Sequence, residues 1–70
     1  MSKLSYKKLF KRLIDIEMKN LELMDKAKVS RSTFYKIKRA ENVTTDVLLR
    51  ICDVLDCDIS DIVERVKIIN

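Results

Sequence analysis

The chain has 70 residues, enough for one small domain, which excludes a separate catalytic domain with a deep cleft. Hydrophobic residues make up 47% of the sequence and charged residues 37%, which is typical of a compact domain rather than of a disordered tail. Residues 1–40 carry a net charge of +8 and residues 41–70 a net charge of −4, for a total of +4. Any polyanion is therefore expected to bind the first half.

Several classes of protein are disfavoured by what the sequence lacks. No apolar run approaches the length needed to cross a bilayer, about 18 residues, and segment 1–12 does not have the pattern of a secretory signal. We therefore expect a cytoplasmic protein without a membrane partner. Cys52 and Cys57, with no histidine in the chain, are too few for a closed zinc site, and we expect both to be small buried apolar residues. The sequence predicts no metal, no cofactor and no small-molecule ligand.

The first helix is indicated by apolar residues that recur at intervals of three and four. They would form one face of a helix from residue 4 or 5 to residue 17, with lysines and an arginine on the other side. These apolar residues are Tyr6, Leu9, Phe10, Leu13 and Ile14.

Two short helices separated by a tight turn are predicted over residues 20–39. Asn20 is the expected N-cap of the first and Ser30 that of the second. In segment 31–39 only Phe34 and Ile37 are large apolar residues, so this helix would contact the core by one edge. The rest of its surface would be free for a partner, as in the second helix of a helix-turn-helix.

The second half predicts two further helices. Thr44 is the expected N-cap of a well-buried fourth helix, and Asp58 with Asp61 resembles a capping box for a fifth. The tail 66–70 is ambiguous, because Val66 and Ile68 alternate as in a short strand whereas Val66 and Ile69 suit a continued helix. Five short helices without a confident strand predict an all-α domain.

The segment LMDKAKVSRSTFYKIKR, residues 23–39, resembles the signature of the lambda-repressor/Cro-like (Xre-type) helix-turn-helix family. Its core and cap positions are occupied by Leu23, Ala27, Val29, Ser30, Phe34 and Ile37. The stretch 43–63 is similar to the fourth and fifth helices of the family. The resemblance implies a lambda-repressor-like bundle of five short helices, forming one DNA-binding domain over residues 1–70 of a bacterial or phage transcriptional regulator. We expect a repressor rather than an activator, because a domain of this size has little surface left for recruiting polymerase. Lys28 departs from the family, which usually has glycine there because a left-handed backbone costs glycine little.

Candidate DNA contacts follow from the exposed face of the recognition helix and from the resemblance. The polar side chains expected to reach base edges are Arg31, Ser32, Tyr35 and Lys36. The candidate phosphate contacts are Asn20, Ser30, Thr33, Lys38, Arg39 and Thr44. The hydroxyls of Ser30 and Thr44 could instead cap helices, and Thr33 could pack between helices. Lys38 and Arg39 could be surface charges without a partner.

The expected partners are double-stranded DNA and a second copy of the chain, because one recognition helix reads only a few base pairs. The candidate dimer interface consists of Ile62, Val66, Ile68 and Ile69, which could instead complete the monomer core.

Three other function classes are alternatives to DNA binding. A helix-turn-helix-shaped protein-interaction module would use the acidic second half of the chain. A membrane-surface helix built on residues 4–17 leaves the other apolar faces unexplained. An enzyme is disfavoured by the absence of histidine, of a glycine-rich phosphate loop and of a nucleophile with a base.

Overall fold

The fold was obtained as a computed structural model that describes residues 1–69. Within this range four α-helices form the body of the domain: α1 (Lys7–Asp15), α2 (Asn20–Ala27), α3 (Arg31–Lys38) and α4 (Thr45–Leu55). A single 3₁₀ turn, Ile59–Asp61, follows α4. Two short strands, β1 (Ser2–Ser5) and β2 (Glu64–Lys67), form an antiparallel sheet. None of the helices in the described part of the chain is long and apolar enough to span a membrane.

This sheet corrects the prediction of five helices and an all-α fold. Ser2 pairs with Lys67 and Ser5 with Glu64, and the Ile68 N–H donates to the Met1 carbonyl at 2.9 Å. Helix α1 consequently begins at residue 7 rather than at 4 or 5, and the predicted fifth helix is reduced to the 3₁₀ turn. In the tail 66–70, residues 66 and 67 belong to β2, and Asn70 lies outside the described residues.

The core receives buried apolar side chains from every helix. Leu9, Leu23, Ile37, Ile51 and Ile62 are each at most 1% exposed. Helices α1 and α3 meet through an edge-to-face pair of Phe10 and Phe34, whose ring centroids are 6.1 Å apart. No charged or polar side chain is buried in residues 1–69, so the interior is held together by apolar packing.

The apolar face predicted for α1 differs from the observed one at its first and last residues, Tyr6 and Ile14. Tyr6 precedes the helix and is 2% exposed, and its hydroxyl donates to the Glu41 carbonyl at 2.7 Å. Burial raises the pKa of this phenol, opposed by a smaller effect of the Val43 backbone. Ile14, predicted to face the core, is instead 76% exposed. The buried stripe of α1 consists of Leu9 and Leu13, and Ile14 lies about 100° further around the helix than Leu13.

Each of the four helices is followed, within two residues, by a left-handed residue that is not glycine. In every case the N–H of the next residue donates to the carbonyl five positions earlier, which is the Schellman motif. The left-handed residues are Glu17, Lys28, Ala40 and Asp56. The corresponding hydrogen bonds run from Met18 to Leu13, from Val29 to Met24, from Glu41 to Lys36 and from Cys57 to Cys52, at 2.9, 2.9, 2.8 and 3.1 Å.

Candidate nucleic-acid interface

Helices α2 and α3 form a helix-turn-helix whose turn is fixed by contacts to α4. Lys28 takes the left-handed conformation with φ 55° and ψ 46°, in place of the glycine expected there. The Arg50 guanidinium donates to the Lys28 carbonyl at 2.8 Å, and its Nε lies 3.2 Å from a carboxylate oxygen of Asp46, one turn earlier on α4. Val29 is buried beneath the turn. The turn between α2 and α3 is therefore held by the packing of Val29 and by a hydrogen bond from α4.

The first turn of α3 is organised by Ser30. Its hydroxyl accepts from the Thr33 N–H at 3.2 Å and donates to Thr33 Oγ1 at 2.9 Å. Ser32 Oγ lies 3.3 Å from the same oxygen. The structure thus confirms Ser30 as the N-cap, and its hydroxyl hydrogen is engaged within the helix.

Helix α3 separates a buried edge from an exposed polar flank. Phe34 and Ile37 are 2% and 1% exposed and anchor the helix in the core. All four predicted base-contacting residues, Arg31, Ser32, Tyr35 and Lys36, lie on the exposed flank. The ion pairs within residues 1–69 include neither Arg31 nor Lys36, so both cations are available to an external anion.

A shallow groove runs between the beginning of α2 and one side of α3. It brings Asn20 together with Arg31, Tyr35 and Lys38, and it also contains the exposed apolar side chain of Leu21. The Lys38 ammonium lies 5.8 Å from the ring centroids of both Phe34 and Tyr35. These cation–π contacts favour a position of the ammonium group above the two rings, beside the groove.

The N-cap of α2 was predicted incorrectly. The cap position is Lys19, without a side-chain hydrogen bond, and Asn20 is the first helical residue. The side chain of Asn20 is therefore not used as a cap, and it lines the groove beside α3.

A second groove lies along the opposite side of α3. Thr33, Lys36, Asn42 and Thr44 line it together with apolar side chains. The Thr44 hydroxyl accepts from the Val47 N–H at 3.3 Å, which confirms its N-cap role and leaves its own hydrogen free to be donated. No carboxylate from residues 1–69 lines either groove, so both sides of α3 are suited to a negatively charged partner.

Two residues of these grooves were missed from the sequence. Leu21 and Asn42 carry no charge and no periodic signal, and only the positions of α2 and of the loop after α3 bring them to the interface. The one indication in the sequence that Asn42 lies at the interface was its position, as a polar residue between the recognition helix and the Thr44 cap.

Two of the predicted contact residues are already engaged within the domain, Arg39 in an ion pair and Ile62 in the core. Arg39 Nε lies 2.6 Å from Glu41 Oε2, so its charge is already paired. Ile62 is fully buried and belongs to the monomer core, which excludes it from an interface between folded copies. Val66, Ile68 and Ile69 are 36%, 37% and 88% exposed.

Comparisons with known proteins agree with this geometry. Residues 8–67 match the Cro/C1-type helix-turn-helix DNA-binding domain, which covers most of the chain. A crystal structure of the transcriptional regulator VanUg is similar, with a TM-score of 0.92 and 48% sequence identity over 96% of this chain and 89% of that chain. No curated protein matches at a significant level. With an exposed basic recognition helix and a family match over residues 8–67, the chain belongs to the Cro/C1-type helix-turn-helix family and is a DNA-binding protein rather than an enzyme.

Proposed function

We propose that the chain is a transcriptional regulator that binds specific duplex DNA sequences with α3 in the major groove. The observation that carries the proposal is the exposed flank of α3, where Arg31 and Lys36 have no ion-pair partner among residues 1–69. Phe34 and Ile37 hold the helix on the core. The similarity to VanUg, which is described as a transcriptional regulator, supports the role in transcription.

Base recognition is assigned to the four exposed residues of α3. Arg31 lies in the first turn, where a guanidinium can donate two hydrogen bonds to O6 and N7 of guanine, a contact worth about 1–3 kcal/mol of discrimination. Lys36 is the second candidate for guanine. Ser32 accepts or donates to a base edge, and Tyr35 packs on a thymine methyl or donates to a phosphate.

Phosphate contacts are assigned to the two grooves that flank α3. Asn20 and Lys38 lie on one side, and Thr33 and Thr44 lie on the other, together with Asn42. A recognition helix in the major groove has one phosphate backbone on each side, which matches this arrangement. Arg39 is bound to Glu41 through Nε, so a phosphate would be contacted by its terminal nitrogens and with a charge that is partly neutralised.

The proposal extends to repression by a homodimer. A bound domain represses by occupying its operator, without contacting polymerase. Two copies would place their recognition helices on half-sites about 34 Å apart. The exposed residues Val66, Ile68 and Ile69 are the candidate interface.

The test is a fluorescence anisotropy titration against a random duplex pool at two salt concentrations, followed by sequencing of the bound fraction. We expect affinity to fall as salt rises, with a slope of about −0.9 for each phosphate neutralised. Arg31→Ala should relax base preference at one or two positions. Lys38→Ala should instead weaken all sequences about equally and reduce the salt slope by about 1.

Lys11→Ala is the matched control, because it removes one positive charge from a groove of α1 that also contains Asp15 and Asp61. Its effect on base preference should be negligible. If Arg31→Ala and Lys11→Ala behave alike, the assignment of base contacts to α3 is wrong. If the folded chain does not bind duplex DNA even at low salt, a protein-interaction module becomes the better hypothesis.

A further inference from the structure

The two cysteines lie at the two ends of the Schellman motif that closes α4. Asp56 is left-handed, with φ 51° and ψ 58°, and the Cys57 N–H donates to the Cys52 carbonyl at 3.1 Å. This motif folds the chain back so that the side chains of its first and last residues meet. The two thiols are therefore neighbours, and both are free.

The environments of the two thiols differ. Cys52 is 7% exposed, whereas Cys57 is half-buried and can be reached from solvent. Burial is the largest cause that raises the pKa of Cys52 to about 11, followed by the neighbouring Cys57 thiol and then by smaller effects of Asp53 and Asp58. Cys57 is consequently the thiol that a dissolved oxidant meets first.

We propose that Cys52 and Cys57 are a reversible redox pair, which a peroxide converts into a disulfide across the C-terminal turn of α4. The Cys57 thiolate attacks hydrogen peroxide, the O–O bond breaks, and a sulfenic acid and hydroxide form. The Cys52 sulfur then bonds to Cys57, and the sulfenic hydroxyl leaves as water with the Cys52 proton. Each disulfide consumes one peroxide, which takes up the two electrons that the thiols lose.

The bond joins residues that the fold already holds together, so it requires little rearrangement of α4. Neither cysteine lines the grooves beside α3, and this proposal is independent of DNA binding. The disulfide would fix the turn that the Cys57 N–H closes in the reduced chain. It would therefore stabilise the end of α4, from which the chain continues to the 3₁₀ turn and β2.

The experiment treats the dilute, folded chain with hydrogen peroxide, alkylates it with iodoacetamide and digests it with trypsin. Cleavage after Arg50 and Arg65 releases residues 51–65, which contain both cysteines. We expect this peptide to be unalkylated and lighter by two hydrogen atoms, and to accept two alkyl groups after treatment with dithiothreitol. The oxidised chain should also unfold at a higher temperature than the reduced chain.

Cys57→Ser is the control, because it removes the accessible thiol and should leave Cys52 unoxidised and able to be alkylated once the chain is unfolded. Three results would overturn the proposal: sulfinic acid at Cys57 with Cys52 still a thiol, a disulfide found only between two chains, or a lower melting temperature after oxidation. The last result would show that the fold opposes the bond.

Discussion

Four residues adopt a left-handed backbone in a chain that contains no glycine. For a residue with a Cβ atom this conformation costs about 1–2 kcal/mol. The Schellman hydrogen bonds satisfy carbonyl groups at the helix ends and so offset part of this cost. At Lys28 the Arg50 guanidinium adds a further bond to the carbonyl of the strained residue. The helix ends are therefore held by hydrogen bonds and surrounding packing rather than by local backbone preference.

Lys28→Gly should raise the free energy of unfolding by about 0.5–1 kcal/mol, because relief of the left-handed strain exceeds the entropy that glycine adds to the unfolded chain. Urea denaturation monitored by circular dichroism measures the change. Lys26→Gly is the control within α2, where glycine should instead lower stability by about 1 kcal/mol. A destabilised Lys28→Gly variant would mean that the lysine side chain itself holds the turn.

At the scale of elements, four of the five predicted helices are confirmed and the fifth is a single 3₁₀ turn. Of the two strands, only the alternation of Val66 and Ile68 gave an indication in the sequence. The apolar spacing of α1 to α4 and the caps Ser30 and Thr44 are local signals, and the structure confirms them. Segments 2–5 and 64–67 each contain one apolar residue, Leu4 and Val66, too few to bury a helical face. They become strands only because they pair with each other, a contact that no local pattern contains.

In the candidate site, too, some residues could be predicted from the sequence and others could not. The exposed residues of α3 could be predicted because a helix with two apolar anchors has a defined outer flank. Leu21 and Asn42 could not, since their place beside α3 depends on how α2 and the following loop pack. The ion pair between Arg39 and Glu41 could not be predicted either. The two residues are only two positions apart, but residues at that spacing do not face each other on a helix.

Ser30→Ala tests how the recognition helix is held. The substitution removes the acceptor of the Thr33 N–H and should lower the free energy of unfolding by about 1 kcal/mol. It should weaken DNA binding for all sequences, because it loosens the whole first turn. Urea denaturation and anisotropy titration measure the two effects.

Ser32→Ala is the matched control for Ser30→Ala, since Ser32 is exposed on the same turn and is not the cap. Its stability should change by less than about 0.5 kcal/mol, while base preference changes at one position. Equal destabilisation by the two variants would contradict the capping role of Ser30.

For the whole molecule, the sheet is the contact that joins the two ends of the described chain. Leu4 packs against the core, and Leu4 and Val66 line a groove together with Phe10 and Ile37. The sheet therefore lies beside the place where α1 and α3 meet.

Deleting residues 2–5 or residues 64–69 should each lower the free energy of unfolding, by on the order of 2 kcal/mol, since either deletion leaves the other strand unpaired. The double deletion should cost little more than one single deletion, because the pairing is lost only once. Urea denaturation of the three variants measures this. Additive losses would show that each strand contributes mainly through its own contacts with the helices.

The hydrogen bond between Ile68 and Met1 has a practical consequence for engineering. Because these residues are neighbours in space, a linker of a few residues can connect them and produce a circular backbone. Such a ring can then be opened at a surface loop, giving a permuted protein in which β1 and β2 become consecutive arms of a hairpin. Their pairing would then be a local event in folding, with a much smaller entropic cost of closure.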